Sequence, residues 1–225
     1  MFVLVAFGVL SGAASAIPKV VPMAVPASSC SPKPYAYAGV ISSVPAKGIE
    51  AVVTTTALAN VLSGHVAGWI GVGSPKAGAG GHAEWLQVGV NDQAGIGSEL
   101  YAEITQPGRP TRYLTLASGI AAGSSYRLGV VEVAGKLDVW QVLVNGKPAT
   151  GQISLPGSGG FQPMAMGESW NGGSPQCNGF AYQFDQLRIK TTTGLWTPLI
   201  AGAVIADQGY KVMGRTNAGF TAISG

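Results

Sequence analysis

Two polar side chains, Gln87 and Glu168, stand among large apolar residues in segments whose residues alternate as in β-strands. In the segment 83–90, Trp85 and Gln87 fall on one side, and the aliphatic residues fall on the other, which is expected to face the core. Glu168 shares its side of a later segment with two methionines and with Trp170. Carboxyl groups in such surroundings are suited to general acid–base chemistry, and an amide beside an aromatic ring is common in binding surfaces.

A third segment, 99–105, carries two further carboxylates. Glu99, Tyr101 and Glu103 line one side of it, opposite an aliphatic side. Glu103 and Glu168 could supply the two carboxylates that a glycosidase holds roughly 5–9 Å apart. The chain contains no E-x-D-x-E strand, however, which disfavours a glycosidase. Taken singly, each of these polar residues is also compatible with a solvated strand face.

Nucleophilic triads and metal sites are disfavoured by the few histidines and cysteines. His65 and His82 are the only histidines, and both are expected to be ordinary strand or loop residues. The segment 167–171 reads G-E-S-W-N and fails the G-x-S-x-G pattern at its last position. Cys30, Cys177 and the two separated histidines lack the clustered spacing of a zinc site. We therefore predict no metal and no cofactor.

The N-terminal residues 1–16 resemble an export signal. Phe2–Leu10 is apolar, Ala14–Ala16 fits a small-residue cleavage site, and no Lys or Arg precedes the apolar run. The run is shorter than the ~20 residues that span a bilayer, and a buried N-terminal strand is the alternative. Cys30 and Cys177 both follow this segment, and in an oxidising compartment such a pair usually forms a disulfide, with two free thiols as the alternative.

Composition indicates a folded, secreted domain of low charge. Charged residues make up 10% of the chain, against about a quarter in an average soluble domain. The apolar content is too high for a disordered chain. The formal net charge is only +3, and its Lys and Arg are scattered, so nucleic acid is not expected as a partner. Prolines recur through residues 17–34, which predicts an extended linker before a single domain at 35–225.

The fold class follows from short β-rich runs separated by turn signals such as Asn145–Gly146 and Ala134–Gly135. No segment keeps a 3.6-residue apolar period, so helices are expected to be few and short. Many short antiparallel strands predict an all-β sandwich or barrel. The predicted strands are 36–43, 49–56, 65–72, 83–90, 99–105, 113–116, 126–133, 137–144, 152–155, 162–169 and 180–190, with another near the C-terminus.

Several of these segments together resemble the glutamic peptidases, the eqolisin family. The sequence W-I-G-V-G at 69–73, a glycine-rich gap, and W-L-Q-V-G-V at 85–90 are similar to that family's W-[VI]-G-[IV] strand and the L-Q-[TV]-G strand after it. L-Y-A-E at 100–103 is similar to the strand that comes next. A-M-G-E-S-W at 165–170 stands where the family has the strand with its catalytic glutamate, and the resemblance covers about 35–190.

The resemblance implies a concanavalin-like antiparallel β-sandwich, a double-sheet jelly roll, with a substrate groove across one sheet. It also implies a secreted endopeptidase that acts at acidic pH through a catalytic pair, here Gln87 and Glu168. A carboxylate can take a proton from the attacking water, and a neutral amide can orient that water and stabilise the oxyanion. The residues expected to contact a polypeptide substrate are Trp69, Trp85, Tyr101, Glu103 and Trp170.

A non-catalytic binding module with the same fold is the alternative function. Exposed aromatic side chains supply large contact areas for a glycan or a peptide, although Trp140 alternates with valines and is expected to be buried. Gln87 and Glu168 within reach of one water would favour a peptidase, whereas a Glu168 that points outward or pairs with an arginine would favour binding. In either case we expect a monomer with no membrane contact after signal removal.

Overall fold

The computed structural model describes residues 30, 35–55, 59–74, 83–199 and 202–224. The predicted export signal, the predicted linker apart from Cys30, and the stretch 75–82 with His82 lie outside the described residues. Within the described ranges the chain forms β-strands, turns and one short 3₁₀ helix at Ser158–Gly160, with no α-helix. The all-β fold class is therefore confirmed.

The strands follow one another closely along the chain. In order they are β1 (Tyr35–Ser42), β2 (Gly48–Thr55), β3 (Asn60–Val61), β4 (His65–Ser74), β5 (Glu84–Gln93), β6 (Gly97–Thr105), β7 (Arg112–Ser118), β8 (Ser125–Glu132), β9 (Val139–Val144), β10 (Lys147–Pro148), β11 (Ile153–Ser154), β12 (Gln162–Trp170), β13 (Asn178–Gly179), β14 (Ala181–Lys190), β15 (Trp196–Pro198), β16 (Gly202–Ala206), β17 (Tyr210–Met213) and β18 (Phe220–Ser224).

Two large antiparallel sheets make up the fold. The first has seven strands in the order β16–β1–β12–β4–β5–β6–β7. The second has nine, in the order β10–β9–β8–β2–β14–β18–β17, with β11 beside β9 and β15 beside β14. Strands β3 and β13 form a separate short pair. Two stacked antiparallel sheets with one core between them confirm the predicted concanavalin-like, jelly-roll type of β-sandwich.

The core lies between the two sheets and is built from the aliphatic side of each strand. Ile70 and Val88 of the first sheet belong to the same buried cluster as Ile49 and Leu128 of the second. Each such side chain stabilises the fold by about 1.5–3 kcal/mol when it is fully buried. Trp140 is in this cluster too, and its predicted burial is confirmed. Since the core uses alternate residues, the other face of the first sheet is left to form a site.

Two turns illustrate where the sequence located a strand end correctly and where it did not. Asn145 and Gly146 both have positive φ and join β9 to β10 as a two-residue hairpin, as predicted. The predicted strand at 137–144 was wrong in its first two residues, because β9 begins at Val139. Asp138 has a φ of 58°, which an extended strand does not allow, and its carboxylate accepts a hydrogen bond from Ser158.

The disulfide expected from the cysteine count is present and joins Cys30 to Cys177, 147 residues apart in sequence. It attaches the segment before β1 to the loop that precedes β13. No helix in the described part of the chain combines the length and apolar character needed to cross a membrane.

Candidate active site

A groove lies on the face of the first sheet that points away from the core, with a volume of about 420 Å³. Its floor is a second apolar cluster that includes Trp69, Met164 and Met166. An adjoining depression of about 280 Å³ shares His65, Gln87 and Glu103 with it. The groove is lined by Tyr35, Tyr37, Ile41, His65, Trp69, Ala83, Trp85, Gln87, Glu103, Thr105, Met164, Met166, Glu168 and Ile205.

The strand register determines how Gln87 and Glu168 are placed in this groove. Both β5 and β12 pair with β4, so the two residues lie on the strands that flank β4. Gln87 is opposite Gly71, and Glu168 is opposite Ala67. Trp69 lies between these two positions on β4, and its side chain points to the same face of the sheet. The two polar residues therefore approach the groove from opposite sides of the Trp69 ring.

Glu168 has a polar partner at each of its carboxyl oxygens. Its residue is only 5% exposed. The indole Nε1 of Trp69 donates to Oε2 at 2.9 Å, and Nε2 of His65 lies 3.0 Å from Oε1. An indole nitrogen can only donate, so Oε2 acts as an acceptor. The two oxygens of Glu168 thus have different partners, the indole of Trp69 at Oε2 and the imidazole of His65 at Oε1.

Gln87 is held in one amide orientation by its neighbours. The indole Nε1 of Trp85 donates to Oε1 of Gln87 at 2.5 Å, and Nε2 of Gln87 donates to the Tyr101 hydroxyl at 2.9 Å. Because an indole can only donate, the oxygen of the amide must face Trp85. The second N–H of the amide has no partner among the described residues, so it remains able to donate to a bound molecule.

A second carboxylate, Glu103, faces the same groove. It lies opposite Gln87 on β6 and is half-buried. Burial raises the pKa of the Glu103 carboxyl, the negative charge of Glu168 raises it further, and His65 lowers it in part. Burial and then the charge of Glu168 also raise the pKa of Tyr101. Burial and an ionised Glu168 therefore both disfavour ionisation of Glu103.

The structure brings most of the predicted site residues together. Trp69, Trp85, Gln87, Glu103 and Glu168 line the groove, and Tyr101 lines the adjoining depression. Trp170 is not among the groove-lining residues. It stands at the end of β12, and its ring stacks on His65 with centroids 5.4 Å apart.

Sequence reasoning missed His65 and the tyrosines of β1. His65 was expected to be an ordinary residue, yet it contacts Glu168. A signal was present, since His65 and Trp69 have the same parity in β4 and must share a face. Tyr35 and Tyr37 stack with centroids 5.8 Å apart, and Tyr37 is the cross-strand neighbour of Glu168. Nothing local in the sequence indicates that β1 pairs with β12.

Within the described ranges, no group of three or more His, Cys, Asp or Glu side chains is arranged to hold a metal ion.

Comparisons with known proteins relate this chain to peptidases by structure alone. No protein-family model and no curated protein sequence matches it. A scytalido-glutamic peptidase bound to a transition-state analogue inhibitor is similar, with a TM-score of 0.60 and 11% identity over 84% of this chain and 98% of that one. SCP-B, an eqolisin peptidase in complex with the tripeptide Ala-Ile-His, has a TM-score of 0.51 and 14% identity over 84% and 96%. The chain thus shares the β-sandwich fold of the eqolisin peptidases.

Proposed function

We propose that this protein is a secreted glutamic endopeptidase of the eqolisin type, which hydrolyses peptide bonds at acidic pH. The observation that supports the proposal is the placement of Gln87 and Glu168 in one groove, on either side of Trp69, with their polar atoms held by neighbouring donors. Its substrate is a polypeptide that lies across the first sheet, against Trp69, Trp85, Tyr101 and Glu103, with Trp170 at the end of the groove.

The proposed reaction needs only the two side chains and a water. The Glu168 carboxylate takes a proton from water while the water oxygen bonds to the peptide carbonyl carbon. The free N–H of Gln87 donates to the carbonyl oxygen as it becomes an oxyanion, and a neutral amide adds no charge to the site. Glu168 then gives its proton to the leaving nitrogen, the carbon–nitrogen bond breaks, and a carboxylic acid and an amine are released.

The electrostatics of the groove favour acidic conditions. The raised pKa of Glu103 means that mild acid neutralises it more readily than an ordinary glutamate. Glu168 then no longer has a second negative charge across the groove. A substrate carbonyl approaching Gln87 also meets less repulsion at its developing oxyanion. The raised pKa of Glu103 therefore supports the proposed acid range.

A non-catalytic binding module for a peptide or a glycan is the second candidate function. One observation that favours it is that each carboxyl oxygen of Glu168 already has a side-chain partner within the protein. Another is the pair of stacked rings, Tyr35 and Tyr37, at one wall of the groove. Such rings supply a flat contact surface. Glu168 does not point outward, and the basic side chain beside it is His65 and not an arginine.

Export is part of the proposal. Residues 1–16 act as a signal peptide, 17–34 form a linker, and 35–225 form one domain that acts as a monomer outside the cell. A disulfide between Cys30 and Cys177 is consistent with an oxidising compartment.

Cleavage of a denatured protein substrate between pH 2 and pH 7 tests the catalytic pair. Glu168→Gln is expected to lower kcat by about 10²–10⁴, the usual contribution of a general base. Gln87→Ala is expected to lower it by about 10²–10³, as for a lost oxyanion donor. Glu99→Gln is the control, because it also replaces a glutamate by glutamine on the first sheet but lies outside the groove lining. This variant should retain activity.

Circular dichroism and thermal unfolding would establish that each variant is folded. Absence of cleavage by folded wild type across this pH range would refute the peptidase. A screen of immobilised glycans and peptides would then test the binding module.

A further inference from the structure

We propose that His65 is a positioning residue for Glu168, and that the positive charge of its imidazole sets the acid limit of the reaction. The inference rests on the proposed peptidase function and goes beyond it, because it assigns a role to a third side chain. It starts from the 3.0 Å contact between Nε2 of His65 and Oε1 of Glu168.

The contact is made by the carboxyl oxygen that does not accept from Trp69. Trp69 donates to Oε2, and Oε1, the other oxygen of the carboxyl group, faces His65. A protonated imidazole there donates a hydrogen bond and adds a positive charge beside the carboxylate. It therefore stabilises the ionised form, which is the form that acts as a base. A neutral imidazole can donate the hydrogen bond but not the charge.

Trp170 contacts the imidazole of His65, and Asn178 holds the backbone around it. The imidazole ring stacks on Trp170 at the end of β12, with an interplanar angle of 23°. The buried side chain of Asn178 donates through Nδ2 to the carbonyls of Ser63, at 2.7 Å, and Trp170, at 3.1 Å, and lies 3.3 Å from the carbonyl of His65. These bonds join the start of β4 to the end of β12, where Glu168 lies.

The groups that face His65 come from each strand around the groove. Glu168 lies on β12, Glu103 on β6, and Tyr35 and Tyr37 on β1, while the cross-strand neighbour on β5 is the uncharged Gln93. No lysine or arginine of the described ranges lines the groove. When protonated, His65 is therefore the one cation among the described groove-lining residues, and its charge acts on both glutamates.

The order of protonation makes this arrangement useful in acid. A histidine ordinarily takes up its proton near pH 6.5 and a glutamate near pH 4.3. A cation at His65, 3.0 Å from Oε1, opposes protonation of Glu168 and so favours its base form.

The pH dependence of kcat/KM for a peptide substrate tests the inference. His65→Gln keeps an N–H donor but has no charge, and it should move the acid limb of the profile to higher pH by about one unit. The maximum should change only a few-fold. Arg188→Gln removes a positive charge from the second sheet and should leave the acid limb in place. Activity of His65→Gln that is lower by the same factor at every pH would show a merely structural role and overturn the proposal.

Nuclear magnetic resonance of the histidine rings gives a readout that does not depend on activity. The chain has only two histidines, so His82→Asn leaves the His65 resonances alone. In that background, Glu168→Gln should make the His65 ring titrate over a lower pH range. Identical titration with and without the Glu168 charge would overturn the pairing. If the resonances show the pairing but wild type cleaves no substrate, the peptidase function is refuted. In that case only the pairing of His65 with Glu168 is established.

Discussion

At the scale of the residue, donor-only side chains decide how the polar atoms of the site are oriented. Two indoles, those of Trp69 and Trp85, donate to an oxygen of Glu168 and to an oxygen of Gln87. Each fixes its partner without competing as an acceptor. The remaining atoms, Oε1 of Glu168 and one N–H of Gln87, are the ones that the proposed reaction uses. Tryptophan thus has a positioning role here in addition to any contact with a substrate.

The raised pKa of Glu103 predicts a change in the pH dependence of stability. A carboxyl group whose pKa is higher in the folded state binds its proton more tightly there, so the folded state loses stability as the pH rises through that pKa. Glu103→Gln stays neutral throughout. The variant should match wild type in thermal stability near pH 3 and exceed it at pH 7. A difference in melting temperature that is equal at the two pH values would contradict this explanation.

At the scale of the element, β4 is the strand on which the site depends. It pairs with β12 on one side and with β5 on the other, and it carries both Trp69 and His65. The indole of Trp69 has room because its cross-strand neighbour on β5 is Gly89. A Cβ on Gly89 would lie 2.5 Å from the Cβ of Trp69 and 2.5 Å from the carbonyl oxygen of Gly68.

Gly89→Ala is therefore expected to displace β4 and with it the Trp69 donor to Glu168. Overpacking of this kind typically costs about 1–3 kcal/mol of unfolding free energy, and peptidase activity should fall as well. Gly129→Ala on β8 is a matched control, because its nearest contact would be a Leu143 side-chain atom at 3.3 Å. Urea denaturation of both variants makes the comparison. Equal unfolding free energies for the two variants would show that the strands can accept a Cβ at Gly89 without cost.

At the scale of the whole molecule, one covalent bond links distant parts of the chain near the site. The Cys30–Cys177 disulfide closes a long loop, and Cys177 immediately precedes Asn178, which joins β4 to β12. A cross-link of this span stabilises a fold chiefly by restricting the unfolded chain. The bond therefore stabilises the fold as a whole, and it lies one residue from Asn178, which bonds to the backbone of His65 and Trp170.

Replacing both cysteines by serine should lower the unfolding free energy by about 5 kcal/mol in the chain-entropy model. Chemical denaturation of the double variant, compared with wild type in the absence of reductant, measures the change. Reduced wild type should behave like the variant. A double variant as stable as oxidised wild type would show that the unfolded chain is not restricted by this link.

Much of the fold could be read from local patterns. Alternation identified the core side of β5 and β6 and the shared side of Trp85 with Gln87, because the side-chain period of a strand is fixed by its backbone. The Asn145–Gly146 turn was equally readable, since few residues accept positive φ. The error at Asp138 arose because a turn with no glycine gives a weak signal.

The sequence by itself determined the class of fold, the faces of the strands and a pair of cysteines able to bond. Only the tertiary structure decided that β1 and β4 both pair with β12, which brings Tyr37 and His65 to Glu168. Alternation gives the side of a strand on which a residue lies, but neither the neighbour of that strand nor its register. Those depend on the packing of segments far apart in sequence, and the contact between His65 and Glu168 depends on them.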